Sequence, residues 1–176
     1  MKKYTLFILF TIAAFAICSC SSQKSPIKTF TMPCSDCTKS EDAIRVWATG
    51  TSDNETTAHK KAMATASAEL AAVLSKTVNT LTENYTAELA EGRESESKSF
   101  LSEKSIISVK QIVNGATIVC DEWTQSNNQY TNYIVLELKG SKIIEAITKE
   151  AEAEGKSLNK ELLNNLFLKK IQEGNK

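Results

Sequence analysis

Glu55-Thr-Thr-Ala58-His-Lys-Lys-Ala62-Met-Ala-Thr-Ala66-Ser-Ala-Glu-Leu70 opens the stretch on which the fold turns. Strong helix formers run from Glu55 to about Glu91, preceded by the capping candidates Ser52, Asp53 and Asn54 and closed by Gly92. Ala58, Ala62, Ala66, Leu70, Val73, Leu74, Val78, Leu81, Tyr85 and Leu89 recur at steps of three and four, which sets them along one helical stripe. The stripe starts with alanines and broadens to leucines and a tyrosine. Small side chains let the N-terminal half of such a helix approach a sheet closely, and the larger ones fill a wider gap further on. Its role is core packing rather than ligand binding.

Before this helix, Ala43-Ile-Arg-Val-Trp-Ala-Thr-Gly50 alternates as a strand does, with Ile44 and Val46 on one face and Arg45 and Trp47 on the other. Gly50 and the following Thr-Ser-Asp-Asn are assigned to its exit turn. After the helix, Glu94 to Lys104 is charged and serine-rich, a loop or a frayed helix. Residues 99–113 stay open between strand and helix: Ser105 to Val113 has strand composition, while Phe100, Glu103, Ile107 and Gln111 drift at helical steps. Asn114-Gly115 supplies a turn.

The clearest strands are Thr117 to Thr124 and Tyr130 to Leu138, joined as a hairpin by polar Gln125 to Gln129. Ile134, Leu136 and Leu138 share one face of the second, Tyr133, Val135 and Glu137 the other, and Gly140 ends it. Two amphipathic helices follow, Ser141 to about Glu154 and Asn159 to Glu173, with Gly155 between them. Ile143, Ile144 and Ile147 mark one apolar face, and Leu162, Leu163, Leu166, Phe167 and Ile171 the other. The sheet, the long helix and a neighbouring subunit are all candidates to receive them. The predicted fold is α+β: an antiparallel sheet packed on one long alanine-rich helix, with C-terminal amphipathic helices. No internal repeat is apparent.

Met1 to Ser19 has the three parts of a secretory signal: positive Lys2 and Lys3, an apolar run from Leu6 to Ile17, and small residues at the processing site. The run is too short for the roughly 20 apolar residues of a membrane span. Ile17-Cys18-Ser19-Cys20 resembles the lipobox of bacterial lipoproteins, in which the cysteine sulfur takes a diacylglycerol thioether before cleavage exposes its amine. Lipidation is therefore assigned to Cys20, which makes the membrane a partner through that anchor. Ser21 to Thr29 reads as a polar tether. By analogy with enteric sorting, Ser21 after the cysteine favours the outer membrane, and the tether lacks the acidic cluster that resembles a surface-export signal in some bacteria, which favours the periplasmic face.

The chain has 176 residues, room for one ordinary domain, and only 7% aromatics, so deep aromatic pockets are not expected. Without Lys2 and Lys3, 19 basic residues face 21 acidic ones, which leaves no footprint for nucleic acid. Beyond Cys18 and Cys20, three cysteines remain: Cys34, Cys37 and Cys120. Exported chains meet conditions in which disulfides persist. Cys34-Ser-Asp-Cys37 has redox spacing without a thioredoxin-like βαβ surround, and with neither a second cysteine pair nor nearby histidines it makes a poor zinc site. A structural cross-link is the simpler role: Cys120, in a strong strand, captures Cys34 or Cys37, for a stabilisation of about 4 kcal/mol in the chain-entropy account.

No catalytic constellation emerges. His59, the single histidine, lies beside Lys60 and Lys61 on the polar side of the stripe and reads as a solvated surface residue. Glu94-Ser-Glu-Ser-Lys98 lacks calcium-loop spacing, and no phosphate-binding glycine loop exists. Asn54-Glu-Thr56 and Asn84-Tyr-Thr86 match the glycosylation triplet by chance. Trp47, Trp123, Tyr130 and Tyr133 offer either an interaction face or, the reading preferred, packing beneath the C-terminal helices. No enzyme activity and no cofactor or metal is expected.

The lipobox, Arg45-Val-Trp-Ala-Thr-Gly50-Thr, the Ala58-xxx-Ala62-xxx-Ala66-xxx-Leu70 helix, Gly115-Ala-Thr-Ile-Val and Tyr130-Thr-Asn-Tyr-Ile-Val-Leu-Glu-Leu138 together resemble the LPP-twenty family of small bacterial outer-membrane lipoproteins. The resemblance spans about Ala43 to Leu138. It implies an α+β domain with a long helix on an antiparallel sheet, tied to the cell envelope and in some relatives to flagellar outer-membrane structures. It carries no catalytic residues to transfer. The resulting division is a signal peptide over 1–19, a lipidated tether and N-terminal segment over 20–42, the LPP-twenty-like domain over 43–140 and C-terminal helices over 141–176. The expected function is that of a cell-envelope lipoprotein with a non-enzymatic binding or assembly role, its partner an envelope protein or a second copy of the chain. The alternative is a periplasmic thiol-active protein using Cys34 and Cys37.

Overall fold

Three antiparallel strands and three helices make up the computed structural model, which describes residues 32–89 and 112–174. The strands are β1 (Ala43–Ser52), β2 (Thr117–Ser126) and β3 (Gln129–Lys139), in the order β1-β3-β2. The long helix α1 (Glu55–Glu88) links β1 to the hairpin, and α2 (Gly140–Ala153) and α3 (Lys160–Gly174) follow it. This is the α+β architecture that the sequence predicts. Residues 1–31 lie outside the described residues, and with them the leader and Cys20; so do the expected closure at Gly92 and the open stretch 99–113 up to residue 111. Ile112 and Val113 are helical, and a tight turn follows in which Gly115 N–H donates to the Ile112 carbonyl at 2.9 Å.

α1 lies along one face of the sheet, here the inner face. Asn54 is its cap, the side-chain oxygen accepting the Thr57 N–H at 3.0 Å, which satisfies one of the four free amides of the first turn. Ala58, Ala62, Ala66, Leu70, Leu74, Val78, Leu81 and Tyr85 are buried, as the stripe requires, and Thr77 joins them by returning its hydroxyl to the Val73 carbonyl at 2.9 Å. Val73 departs from the expectation and is exposed, at the stripe's margin. From the sheet, Ile44, Val46, Ala48, Ile134, Leu136 and Leu138 meet the helix.

Gly50 is not part of the exit turn. β1 continues through it to Ser52, paired with β3 as Gly50 with Asn132 and Ser52 with Tyr130. A Cβ on Gly50 would run into the carbonyl oxygen of Ala58 and the amide nitrogen of Ala62, so glycine serves here to let strand and helix backbones touch. The hairpin loop is likewise tighter than expected. The strands run to Ser126 and restart at Gln129, leaving Asn127 and Asn128 with φ of 49° and 62° as a two-residue turn. Asparagine tolerates that left-handed geometry, which suits the twist of the flanking strands.

The C-terminal helices bury their apolar faces in the core of α1 and the sheet. α2 starts directly at Gly140, whose N–H donates to the Asp42 carbonyl at 2.9 Å and whose missing side chain makes room for the Phe167 ring of α3. α2 ends with Gly155 at φ 72°, where Gly155 N–H donates to Glu152 and Lys156 N–H to Ala151, satisfying carbonyls of the last turn. The Tyr85 hydroxyl then accepts the Asn159 N–H at 2.9 Å, tying the start of α3 to α1. No helix of the described residues is long and apolar enough to cross a membrane.

Candidate functional site

The outer face of the sheet carries Arg45 and Trp47 of β1, Tyr133, Val135 and Glu137 of β3, and Thr117, Cys120 and Glu122 of β2. An apolar residue such as Val135 would be exposed on a bare face, yet it is 0% exposed. Its cover is the segment from Met32 to Asp42, which crosses this face as a strap around a single 3-10 turn at Ser35–Cys37. Three fastenings hold the strap.

The first is covalent. Cys34 is bonded to Cys120 across 86 positions of sequence, with Cα atoms 5.8 Å apart. Of the two partners open to Cys120, the structure takes Cys34 and leaves Cys37 a free, half-buried thiol. A β-bulge makes this possible: Ile118 pairs with Leu136 but Cys120 with Val135, so Val119 is the extra residue. Without it, Cys120 would stand with Ile118 on the inner face.

The second fastening is Arg45, which pairs directly across the strands with Glu137. Its Nε and Nη2 donate to Glu137 Oε2 at 2.8 and 2.6 Å, while Nη1 donates to the strap carbonyls of Cys37 and Lys39 at 3.0 and 2.6 Å. Glu137 is only 8% exposed, so the guanidinium both compensates a buried carboxylate and holds the strap down. The third is Trp47, whose Nε1–H donates to the Pro33 carbonyl at 3.1 Å and whose ring lies 6.2 Å from that of Tyr133.

The four aromatics singled out in the sequence therefore do not form one face, nor do they pack beneath the C-terminal helices. Trp47 and Tyr133 sit under the strap. Trp123 and Tyr130 pair opposite inner-face positions, because side chains alternate along each strand. Trp123 stacks on His59 with ring centroids 6.1 Å apart.

His59 is not a freely solvated residue. Its Nδ1 lies 3.1 Å from Oδ1 of Asn132, a side chain that is 0% exposed and donates through Nδ2 to Asp121 Oδ1 at 2.5 Å and to the Glu122 carbonyl at 3.2 Å. With both Asn132 N–H groups committed, its oxygen accepts and His59 Nδ1 carries the proton. The histidine thus bridges α1 to the hairpin. Helical spacing placed it off the apolar stripe correctly but could not show that β2 extends beyond that stripe to meet it.

An open groove of about 360 Å³ lies where the strap, β1, α1 and α3 meet, lined by Thr38, Ser40, Ile44, Val73 and Ile171 and by the basic side chains Arg45, Lys76 and Lys170. On the far side of the sheet, β2 has no strand beyond it among the described residues, and Ile118 and Trp123 are 45% and 38% exposed along it.

No protein-family model, no curated protein and no solved structure matches this chain.

Proposed function

We propose that the chain is a cell-envelope lipoprotein of the LPP-twenty type with a non-enzymatic binding or assembly role, anchored to the outer membrane on its periplasmic face through lipid on Cys20. The observation that carries this reading is the Cys34–Cys120 disulfide. Such bonds persist in oxidising compartments, which agrees with the export leader and lipobox at Met1 to Cys20. The long helix on an antiparallel sheet agrees with the resemblance.

The sheet's outer face and the terminal helices are largely engaged within the chain, one by the strap and the other by the core. The contact to an envelope protein or a second copy is therefore assigned to β2, which has no strand beyond it among the described residues and bears exposed Ile118 and Trp123. The thiol-active alternative draws less support, because Cys34 is paired with Cys120 rather than with Cys37.

Two measurements test the reading. Palmitate should label the wild type and not Cys20→Ser; absence of label, or label that persists in the variant, overturns the anchor. A photoreactive residue in place of Trp123 should cross-link a partner in intact cells, while one at exposed Lys160 should not. Equal yields at both positions, or none at either, remove β2 as the contact.

A further inference from the structure

The sulfurs of Cys34 and Cys120 and a carboxylate oxygen of Glu122 lie within 4.8 Å of one another on the outer face of the sheet. Spacing alone makes Cys34-Ser-Asp-Cys37 a poor metal site, because two thiols need further ligands. The fold brings them. The bulge at Val119 turns Cys120 outward, and Glu122, two residues on, projects from the same face.

Cys120 Sγ and Glu122 Oε1 are 3.6 Å apart. Around a tetrahedral zinc ion, with Zn–S near 2.3 Å and Zn–O near 2.1 Å, a sulfur and an oxygen ligand stand about 3.6 Å apart and two sulfurs about 3.8 Å. One edge of that tetrahedron is therefore already in place. For a second edge the sulfurs of Cys34 and Cys120, bonded in this structure, must part to about 3.8 Å on reduction.

We propose that in the reduced chain Cys34, Cys37, Cys120 and Glu122 bind one Zn2+. Cys37 completes the set from the 3-10 turn, where its N–H donates to the Cys34 carbonyl at 3.1 Å. This C-x2-C turn is the spacing with which structural zinc sites take two thiolates from one loop. Cys37 Sγ is not among the atoms within 4.8 Å, and in the proposed site its side chain must turn toward the ion. Three soft thiolates and one carboxylate in tetrahedral array suit Zn2+ better than the oxygen-seeking Mg2+ or Ca2+. Cys34 is buried, Cys120 half-buried and Glu122 exposed, so the ion has a path from solvent.

The chemistry balances with a dithiol as reductant. The dithiol gives two electrons and two protons to the Cys34–Cys120 bond and closes to its own disulfide, leaving two thiols on the chain. Zn2+ then displaces the protons of Cys34, Cys37 and Cys120 and binds three thiolates and the Glu122 carboxylate. Metal and disulfide exclude each other, since both need the same two sulfurs. Either one ties the strap to β2.

The test uses the full-length chain in detergent with Cys18→Ser and Cys20→Ser, so that its outcome does not depend on lipidation. Reduced with a phosphine, this protein should take up one Co2+ with the intense visible absorption of tetrahedral thiolate coordination, lose it to Zn2+, and show no such absorption before reduction. Zn2+ should raise the Tm of the reduced chain. Glu122→Gln, which leaves the sulfurs intact, should weaken binding at least about ten-fold, the loss typical of removing even an outer partner of a metal ligand. Cys37→Ser should reduce the sulfur-to-cobalt charge-transfer intensity. The proposal is overturned if a reduced chain that keeps its helical circular dichroism takes up no Co2+, or if Cys34→Ser/Cys120→Ser binds it equally well. It is also overturned if Glu122→Gln and Cys37→Ser both bind like the parent, or if the reduced chain unfolds and Zn2+ does not restore it.

Discussion

Replacing Gly50 by alanine puts one methyl group where two backbones touch. The new Cβ would fall against the Ala58 carbonyl oxygen, the Ala62 amide nitrogen and the Lys61 Cβ, closer than real Cβ atoms stand to any neighbour. No rotamer change relieves a clash with main-chain atoms, so α1 must move away from β1 by more than an ångström to restore ordinary contact. That motion unpacks the fully buried Ala58, Ala62 and Ala66. Overpacking a core typically destabilises by about 1–3 kcal/mol, and a clash with backbone belongs at the upper end, near 3 kcal/mol. At about 2–4 °C per kcal/mol for a chain of this size, Tm should fall by about 6–12 °C. Urea denaturation at unchanged m-value and a thermal melt measure it. Ala62→Gly in the Gly50→Ala background should restore nothing, because the crowded atoms are main chain. A Gly50→Ala protein within about 0.5 kcal/mol of wild type, the range of ordinary surface changes, or rescue by Ala62→Gly, would refute the close-approach argument.

Gly140→Ala should also destabilise, but there the obstacle is the Phe167 side chain, so Phe167→Leu should recover part of the loss in the same denaturation assay. Arg45→Met should cost about 3–5 kcal/mol by leaving Glu137 buried and unpaired, whereas Arg45→Met/Glu137→Leu should regain most of that stability in a double-mutant cycle. Without added metal, reducing the disulfide should lower stability by up to about 4 kcal/mol, and Cys37→Ser should leave unreduced stability within about 0.5 kcal/mol. Asn132→Leu should destabilise by about 1–2 kcal/mol in urea titration, because it removes the hydrogen bonds of a buried amide to His59, Asp121 and the Glu122 carbonyl while leaving the first two side chains partly open to water; unchanged stability would refute a structural role for this bridge.

Much of this architecture is legible in the residues because two short-range periods govern it. The three-and-four spacing of Ala58 to Tyr85 fixed which side of α1 is buried, and strict alternation fixed that Ile134, Leu136 and Leu138 face it while Val135 and Glu137 do not. Capping chemistry narrowed the start of α1 to Ser52, Asp53 and Asn54, of which the structure takes Asn54, and Gly155 marked the break between the two C-terminal helices. Each of these is decided by a residue and its near neighbours in sequence.

The site is different, because its contacts join residues far apart in the chain. Alternation alone would set Cys120 on the same face as Ile118; the unpaired Val119 reverses it, and register is settled only when β2 meets β3. The choice of Cys34 over Cys37 depends on where the strap crosses the sheet, which Arg45 and Trp47 govern from β1. His59, solvent-facing by helical phase, gains Asn132 from 73 positions away because the hairpin reaches past the edge of the helix stripe. Sequence by itself determined the elements and their inner faces, since dihedral preference and periodicity are local. Tertiary structure decided what covers the outer face and which thiols meet, since those follow from register, a bulge and a crossing that no local rule encodes.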